Sequence, residues 1–376
     1  MINKILKFLT FNKFFIGQQK DILIFDERNS NFLSEYFENE QFNFFYSRKE
    51  KFEIYVFFLT IIKNGTNNFG KNYFFNYLKV YKPKYIFSMW VLNDYLFYVK
   101  NFIPSIKVII VQGHRFETNF KKKIITYPKN SFDLFFTFNE EIKNRLKKKF
   151  DENTIIPIGS IKNNFFFKIE NKSKNKFIFF SEYKLGRFTY DEKIILKSLD
   201  KYCSINNLKF DIQTRYKNIR KTYLKILKDN QIYNYDKILD RNDYSSPYKN
   251  SNNYDVMILT NSTLSDEFMS NYKRVVVLSS HEDFDDKKYA ELNCGKIRNN
   301  NYEYQIFKEM LPKNFSWTFN LNEKNIFTVL NNTITCDDLK WKEHVNQYRD
   351  RFLYDQNNKI FLNQLKNIGI KTKLIE

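Results

Sequence analysis

The chain has 376 residues, 43% of them hydrophobic and 28% charged, with a formal net charge of +20. That length and composition suit two globular domains and exclude a disordered chain, and the longest uncharged apolar run, "IYVFFLTII" at 54–62, is too short to span a bilayer. Lysine carries the excess: only 12 of the 62 basic residues are Arg, so the arginine forks that read nucleic acid are scarce and no nucleic-acid partner is expected.

Phe, Tyr, Ile, Asn and Lys crowd the chain, and Ala290 is its one alanine. These are residues of A/T-rich codons, so part of the charge reflects coding bias. A basic surface still attracts anions, including the acidic inner face of a membrane, and peripheral contact there is one expectation. Cys203, Cys294 and Cys336 are far apart and odd in number, which argues against a disulfide framework or a zinc site. The opening "MINKILKFLTFNKFFIG" is interrupted by Lys7 and Lys13 and lacks a small-residue cleavage site, so a cytoplasmic protein is expected.

In chain order, the first predicted strands are "DILIF" (21–25), "FNFFY" (42–46), "YIFSM" (85–89), "KVIIVQ" (107–112), "LFFTF" (134–138) and "TIIPIG" (154–159). They are nearly continuous in apolar residues, as strands buried on both faces are. A helical stretch at 140–150 separates the last two. A polar segment, "ENKSKNK" (170–176), is followed by a second series: "KFIFFS" (176–181), "KFDIQT" (209–214), "DVMIL" (255–259) and "VVVLS" (275–279). Helical patterns at 190–205 and 220–230 lie between them. Strands alternating with helices imply parallel sheets. The expected fold is α/β: two doubly wound Rossmann-like domains, 1–168 and 169–336, facing a cleft. A helical segment at 337–376 is expected to cross back to the first domain.

Candidate chemistry lies at strand ends. In the first domain, Asp26 ends a strand, Glu50 follows "YSRK", and His114 with Arg115 lies in "QGHR" after another strand. A histidine or carboxylate there can take a proton from an acceptor hydroxyl, and a carboxylate can instead serve as nucleophile if transfer retains configuration. A loop histidine bonded to backbone is the competing reading, and Asn93–Asp94 is a weaker candidate. In "GSIKNN", Ser160, Asn163 and Asn164 either line the cleft or cap a helix. In the second domain, "SEYKLGR" places Lys184 and Arg187 beside a strand end, and Arg215 follows "FDIQT". Cations there offset negative charge on a departing phosphate, although lone lysines in so basic a chain are commonly solvated. Gly113, Gly159 and Gly186 each follow a strand and mark special backbone geometry or ordinary turns.

The segment "YDVMILTNSTLSDEFMSNYKRVVVLS" (254–279) concentrates the signal. A buried strand leads to Ser262 and Thr263, either a good N-cap, and then to a short helix. Such a helix start offers backbone N–H groups and a favourable dipole to a phosphate. Glu267, one turn further in, can accept from sugar hydroxyls. A capping box, with Asp266 or Glu267 returning to the cap backbone, accounts for the same residues. "DFDD" (283–286) has no evident third ligand and His281 and His344 have no metal spacing, so no metal is expected. No GxGxxG, P-loop or Ser-His-Asp order is present.

This segment resembles the "STLGYE…RGKKVAFF" stretch of bacterial surface carbohydrate biosynthesis proteins, a family with GT-B glycosyltransferase-like architecture. "IPIGSIKNN" (156–164), "FFSEYKLGRF" (179–188), "VQGHRFETNF" (111–120), "NFSWT" (314–318) and "WKEHVNQYRDRFLYDQNNKIF" (341–361) are similar to further motifs of that family, in the same order. The resemblance implies a glycosyltransferase taking a nucleotide-activated sugar to a surface glycan or its lipid-linked precursor. No metal and no cofactor beyond that co-substrate are implied. A sugar-acid donor is a fold-level analogy. A nucleotide-sugar epimerase of the same build, or a non-catalytic assembly protein, are the alternatives. The chain departs from the family pattern at Ser265–Asp266, where the family has Gly-Tyr, and at Asn271–Tyr272, where it has Arg-Gly. A lost glycine there is expected to restrict close approach of backbone to a ligand.

Overall fold

The structure is a computed structural model. It describes residues 13–47, 51–89, 94–113, 127–167, 176–181, 190–243, 245–260, 262–279, 315–347 and 353–373. The chain divides into two compact units, Met1–Ile161 with Asp355–Glu376, and Lys162–Tyr354. The division falls at Ile161 rather than at 168 because the residues from Lys162 onward make their contacts with the second unit.

In the first unit, β1 (Lys13–Phe15) pairs in parallel with β4 (Lys51–Glu53). The main sheet comprises β2 (Ile22–Phe25), β3 (Phe42–Phe45), β5 (Tyr85–Ser88), β6 (Lys107–Val111), β7 (Leu134–Thr137) and β8 (Ile155–Pro157). Its order is β3-β2-β5-β6-β7-β8, and every pairing is parallel. Alternate side chains leave opposite faces. Leu23, Phe25, Ile86, Val108, Ile110 and Phe135 pack with Val56 and Phe57 of the helix Ile54–Asn64 and with Phe74 and Leu78 of the helix Phe69–Tyr81. The aromatic excess fills this core edge to face, as Phe25 does against Phe74 at 5.1 Å.

The opposite face receives the chain's C-terminal end. Phe361, in the helix Lys359–Asn367, meets Phe136 at 5.0 Å and Tyr36 at 5.1 Å. Buried Asn358 donates to the Tyr36 hydroxyl (2.7 Å) and the Ile161 carbonyl (2.8 Å). The expected C-terminal crossing is therefore present from Asp355 onward. The helix Asp338–Asn346 stays with the second unit, because Trp341 and Val345 are buried in that unit's core.

The second unit's sheet comprises β9 (Phe177–Phe180), β10 (Phe210–Gln213), β11 (Tyr235–Leu239), β12 (Val256–Leu259), β13 (Arg274–Leu278) and β14 (Trp317–Thr318). Its order is β11-β10-β9-β12-β13-β14, again all parallel. Phe177, Phe179, Ile212, Ile258 and Val276 face the helices Tyr190–Ile205, Arg220–Asp229 and Glu323–Thr335. Ile178, Phe180, Met257 and Val277 face Tyr248 of the helix Ser246–Ser251, Phe268 and Met269 of the helix Thr263–Ser270, and Trp341.

Candidate functional site

The second unit's strand order reverses between β9 and β12: β10 and β11 lie to one side, β13 and β14 to the other. In such a sheet the loops leaving the carboxyl ends of these two strands diverge and open a crevice. The loop after β12 leads into the helix Thr263–Ser270. Ser262 is its N-cap in an extended conformation, its hydroxyl accepting from the Leu264 N–H at 3.3 Å. The Ser265 hydroxyl donates to the Ser262 carbonyl at 2.7 Å and tightens the first turn. Thr260, at the strand end, is buried, and its hydroxyl oxygen has no hydrogen-bond partner among the described residues.

Cations gather on the same edge. Arg215 follows β10 by one residue beyond Thr214, and Arg241 follows β11. Arg241 is half-buried. Desolvation lowers its pKa most and the nearby Arg215 adds to this, while Tyr248, Asp243 and Glu267 oppose them. Its loop is fixed by Asp243, whose Oδ1 accepts from the Ser245 N–H (2.7 Å) and the Ser246 N–H (2.9 Å) and from both seryl hydroxyls. Lys162 is also half-buried. Burial lowers its pKa, Glu267 works in the opposite sense, and Arg241 reinforces the lowering. Glu267 is thus the anionic centre of a basic cluster, and it is held there by the Tyr248 hydroxyl, which donates to Oε2 at 3.0 Å.

Asn163 is fully buried and grips this helix from its far end. Its amide donates to the Glu267 carbonyl (2.8 Å) and the Ser270 hydroxyl (3.0 Å), and its own oxygen accepts from Asn271 at 2.8 Å. Its side chain is committed to orienting the helix.

The departure at Asn271–Tyr272 has a different meaning from the one expected. Tyr272 lies at the helix's C-terminal end with φ of 59°, its N–H reaching the Met269 carbonyl and the Lys273 N–H reaching Phe268. A glycine at this position serves the left-handed C-cap. Its loss therefore strains the end of the helix opposite to Ser262.

In the first unit the strand order reverses between β2 and β5. Asp26, next after β2, is buried and left-handed, with φ of 60°. Its Oδ2 accepts from the Asn29 amide at 2.6 Å. A buried non-glycine residue held in that conformation at a switch point is the kind of local cost that recurs at functional positions. Gly113, after β6, is required by space: a Cβ there would lie 2.6 Å from the Met89 carbonyl oxygen. Gly159 has φ of 75°, and Ser160 beside it is buried. Glu50, His114, Arg115, Lys184, Gly186 and Arg187 lie outside the described residues, as do His281, Cys294 and the "DFDD" segment. His344 is half-buried, 4.5 Å from the Phe315 ring, with its pKa lowered by burial.

Sequence reasoning brought Arg215, Ser262, Thr263 and Glu267 to one edge and missed Arg241, Lys162 and Tyr248. The signal for Arg241 was its type, since arginine is scarce in this chain. Lys162 is the one cation inside "GSIKNN".

A family model described as "putative O-antigen biosynthesis protein" matches residues 181–369, just over half of the chain. The chain belongs to this family. No curated protein matches it. Among solved structures, the chain is similar to the wall teichoic acid polymerase TagF, with TM-score 0.55 and 13% identity over 96% of this chain and 91% of that one. It is also similar to the Methanocaldococcus jannaschii UDP-GlcNAc 2-epimerase in complex with UDP-GlcNAc and UDP, with TM-score 0.52 and 12% identity over 92% and 99%. At these identities the likeness establishes the fold, the two-unit parallel α/β build of the GT-B type.

Proposed function

We propose that the chain is a glycosyltransferase. It moves a sugar from a nucleotide-activated donor onto a surface polysaccharide or a lipid-linked glycan precursor. The observation that carries this reading is the start of the helix Thr263–Ser270 at the second unit's switch point, with Arg241 and Lys162 near Glu267 and Arg215 near Arg241. The donor's phosphates sit at Ser262 and Thr263, where the helix dipole and backbone N–H groups favour anions. Arg215 and Arg241 balance the phosphate charge, and Lys184 and Arg187 are further candidates from the sequence for the same role. Glu267 accepts from a sugar hydroxyl.

In the transfer, the bond between the anomeric carbon and the phosphate oxygen breaks, and the electron pair leaves on the nucleotide. The acceptor oxygen bonds to that carbon and yields its proton to a base, for which His114, Asp26 and Glu50 are the first-unit candidates. Cations fixed where the leaving charge develops are worth most in the transition state. The nucleotide sugar is a co-substrate, and the scheme uses no metal.

Incubating the pure protein with nucleotide sugars, with and without a lipid-linked acceptor, tests the scheme by mass spectrometry of products. Nucleotide released only when acceptor is present is the expected result. An isomerised sugar formed without acceptor would instead indicate an epimerase, and no turnover with no binding heat would indicate an assembly protein without catalysis. Arg241→Ala is expected to weaken nucleotide binding about tenfold to a hundredfold, the worth of one charge-assisted hydrogen bond, read by titration calorimetry.

A further inference from the structure

The helix Ile54–Asn64 is apolar all round. Its inward side, Val56, Phe57 and Thr60, is buried on the first unit's sheet. At 100° per residue, Ile54, Phe58, Ile62 and Tyr55 fall on the opposite side. They are 40%, 43%, 81% and 59% exposed. At the helix's N-terminal end the Gly17 N–H reaches Glu53 at 3.4 Å, which brings Ile16, 83% exposed, to the same end. Helices that are apolar on every side are ordinarily buried on every side. Lys51 stands three residues before this helix, at the start of β4, and Lys63 lies in its last turn, so a cation lies toward each end of the apolar stripe.

From this we propose that the outward face of Ile54–Asn64 docks on an anionic lipid surface, lying in the interface and not crossing it. Among the described residues no helix is long and apolar enough to cross a membrane. A stripe of large apolar side chains with lysines at its edges has the chemistry of an interfacial helix. The apolar side chains enter the acyl boundary and the ammonium groups meet the phosphates. A second copy of the chain fits less well. Each copy carries +20, so pairing brings like charge together. One such helix is about 16 Å long and about 10 Å wide, well short of the roughly 800 Å² per partner in a stable interface. The inference stands on the first unit alone and is independent of the sugar-transfer reading.

Vesicle co-sedimentation of the full chain tests it, with phosphatidylcholine vesicles and with vesicles containing about a quarter phosphatidylglycerol. The native chain should sediment with the anionic vesicles and far less with the neutral ones. Phe58→Ser with Ile62→Ser should lower partitioning at least about tenfold, the loss from withholding two apolar side chains from lipid. Both positions face solvent, and circular dichroism verifies the fold. Ile62→Lys separates the forces: it weakens binding if the apolar stripe enters the membrane, whereas stronger binding would reduce the contact to lysine charge and overturn the proposal. Equal sedimentation with both vesicle types, none with either, or a dimer in solution that Ile62→Lys abolishes would overturn it as well.

Discussion

Tyr272 and Lys162 each stand at odds with their surroundings, and each makes a measurable claim. Tyr272 holds a left-handed backbone that costs a side-chain-bearing residue about 1–2 kcal/mol. Tyr272→Gly removes that cost, partly offset by the freedom glycine gains in the unfolded chain. A net gain of about 1 kcal/mol in urea denaturation is expected, with no change in nucleotide affinity. A fall in affinity would mean that this end of the helix touches the ligand after all. Lys162 has its pKa lowered by burial from the ordinary value of 10.5. Between the lowered value and 10.5 the unfolded chain binds the proton and the folded chain does not, so stability rises with pH across that window. The contribution is lost as pH falls through the folded value. Lys162→Met should be more stable than the native chain at neutral pH, and the difference should shrink as pH climbs toward 10.5. Denaturation curves at a series of pH values check this. Affinity for a phosphate ligand moves the other way in the native chain, declining as Lys162 loses its charge.

The helix Thr263–Ser270 is oriented by Asn163, which it meets only after the chain has folded. Asn163→Ala removes two buried hydrogen bonds and leaves Asn271 without one acceptor. It should cost about 2–3 kcal/mol and weaken nucleotide binding through a misaimed helix start. Asn163→Asp, which keeps the shape and an acceptor for Asn271, should restore part of the stability and little of the binding. At this scale the sequence was readable where period and composition agree. Each apolar run taken as a strand lies in a sheet, because residues buried on both faces leave an unbroken apolar signature. β11 was missed because it is the edge strand, and its Asp236 and Lys237 point to solvent. β14 has only two residues and leaves no pattern. The cluster of Lys162, Arg241 and Glu267 could not be read from spacing at all, since its members come from three separate loops and helices brought together by the sheet. The glycine lost at Tyr272 was visible in the sequence, but only the helix direction reveals which end it affects.

At the scale of the whole molecule, the helix Lys359–Asn367 closes one face of the first unit's sheet. Phe361 packs between Tyr36 and Phe136, so Phe361→Ala should cost about 3–5 kcal/mol and lower the unfolding transition of the first unit selectively. Differential scanning calorimetry would resolve the two units if they unfold separately. Doubly wound parallel sheets host many chemistries, so the build alone leaves the activity undecided between transfer and isomerisation. On the proposed reading, either activity holds the nucleotide's phosphates at the helix that starts after Ser262. A crystal structure of the protein grown with UDP or CDP measures this most directly. The diphosphate is expected at the amino end of Thr263–Ser270, with Ser262 in hydrogen-bond contact and Arg215 and Arg241 facing its oxygens. A nucleotide bound elsewhere on the chain, or that helix start filled by side chains while the nucleotide stays in solution, would contradict it.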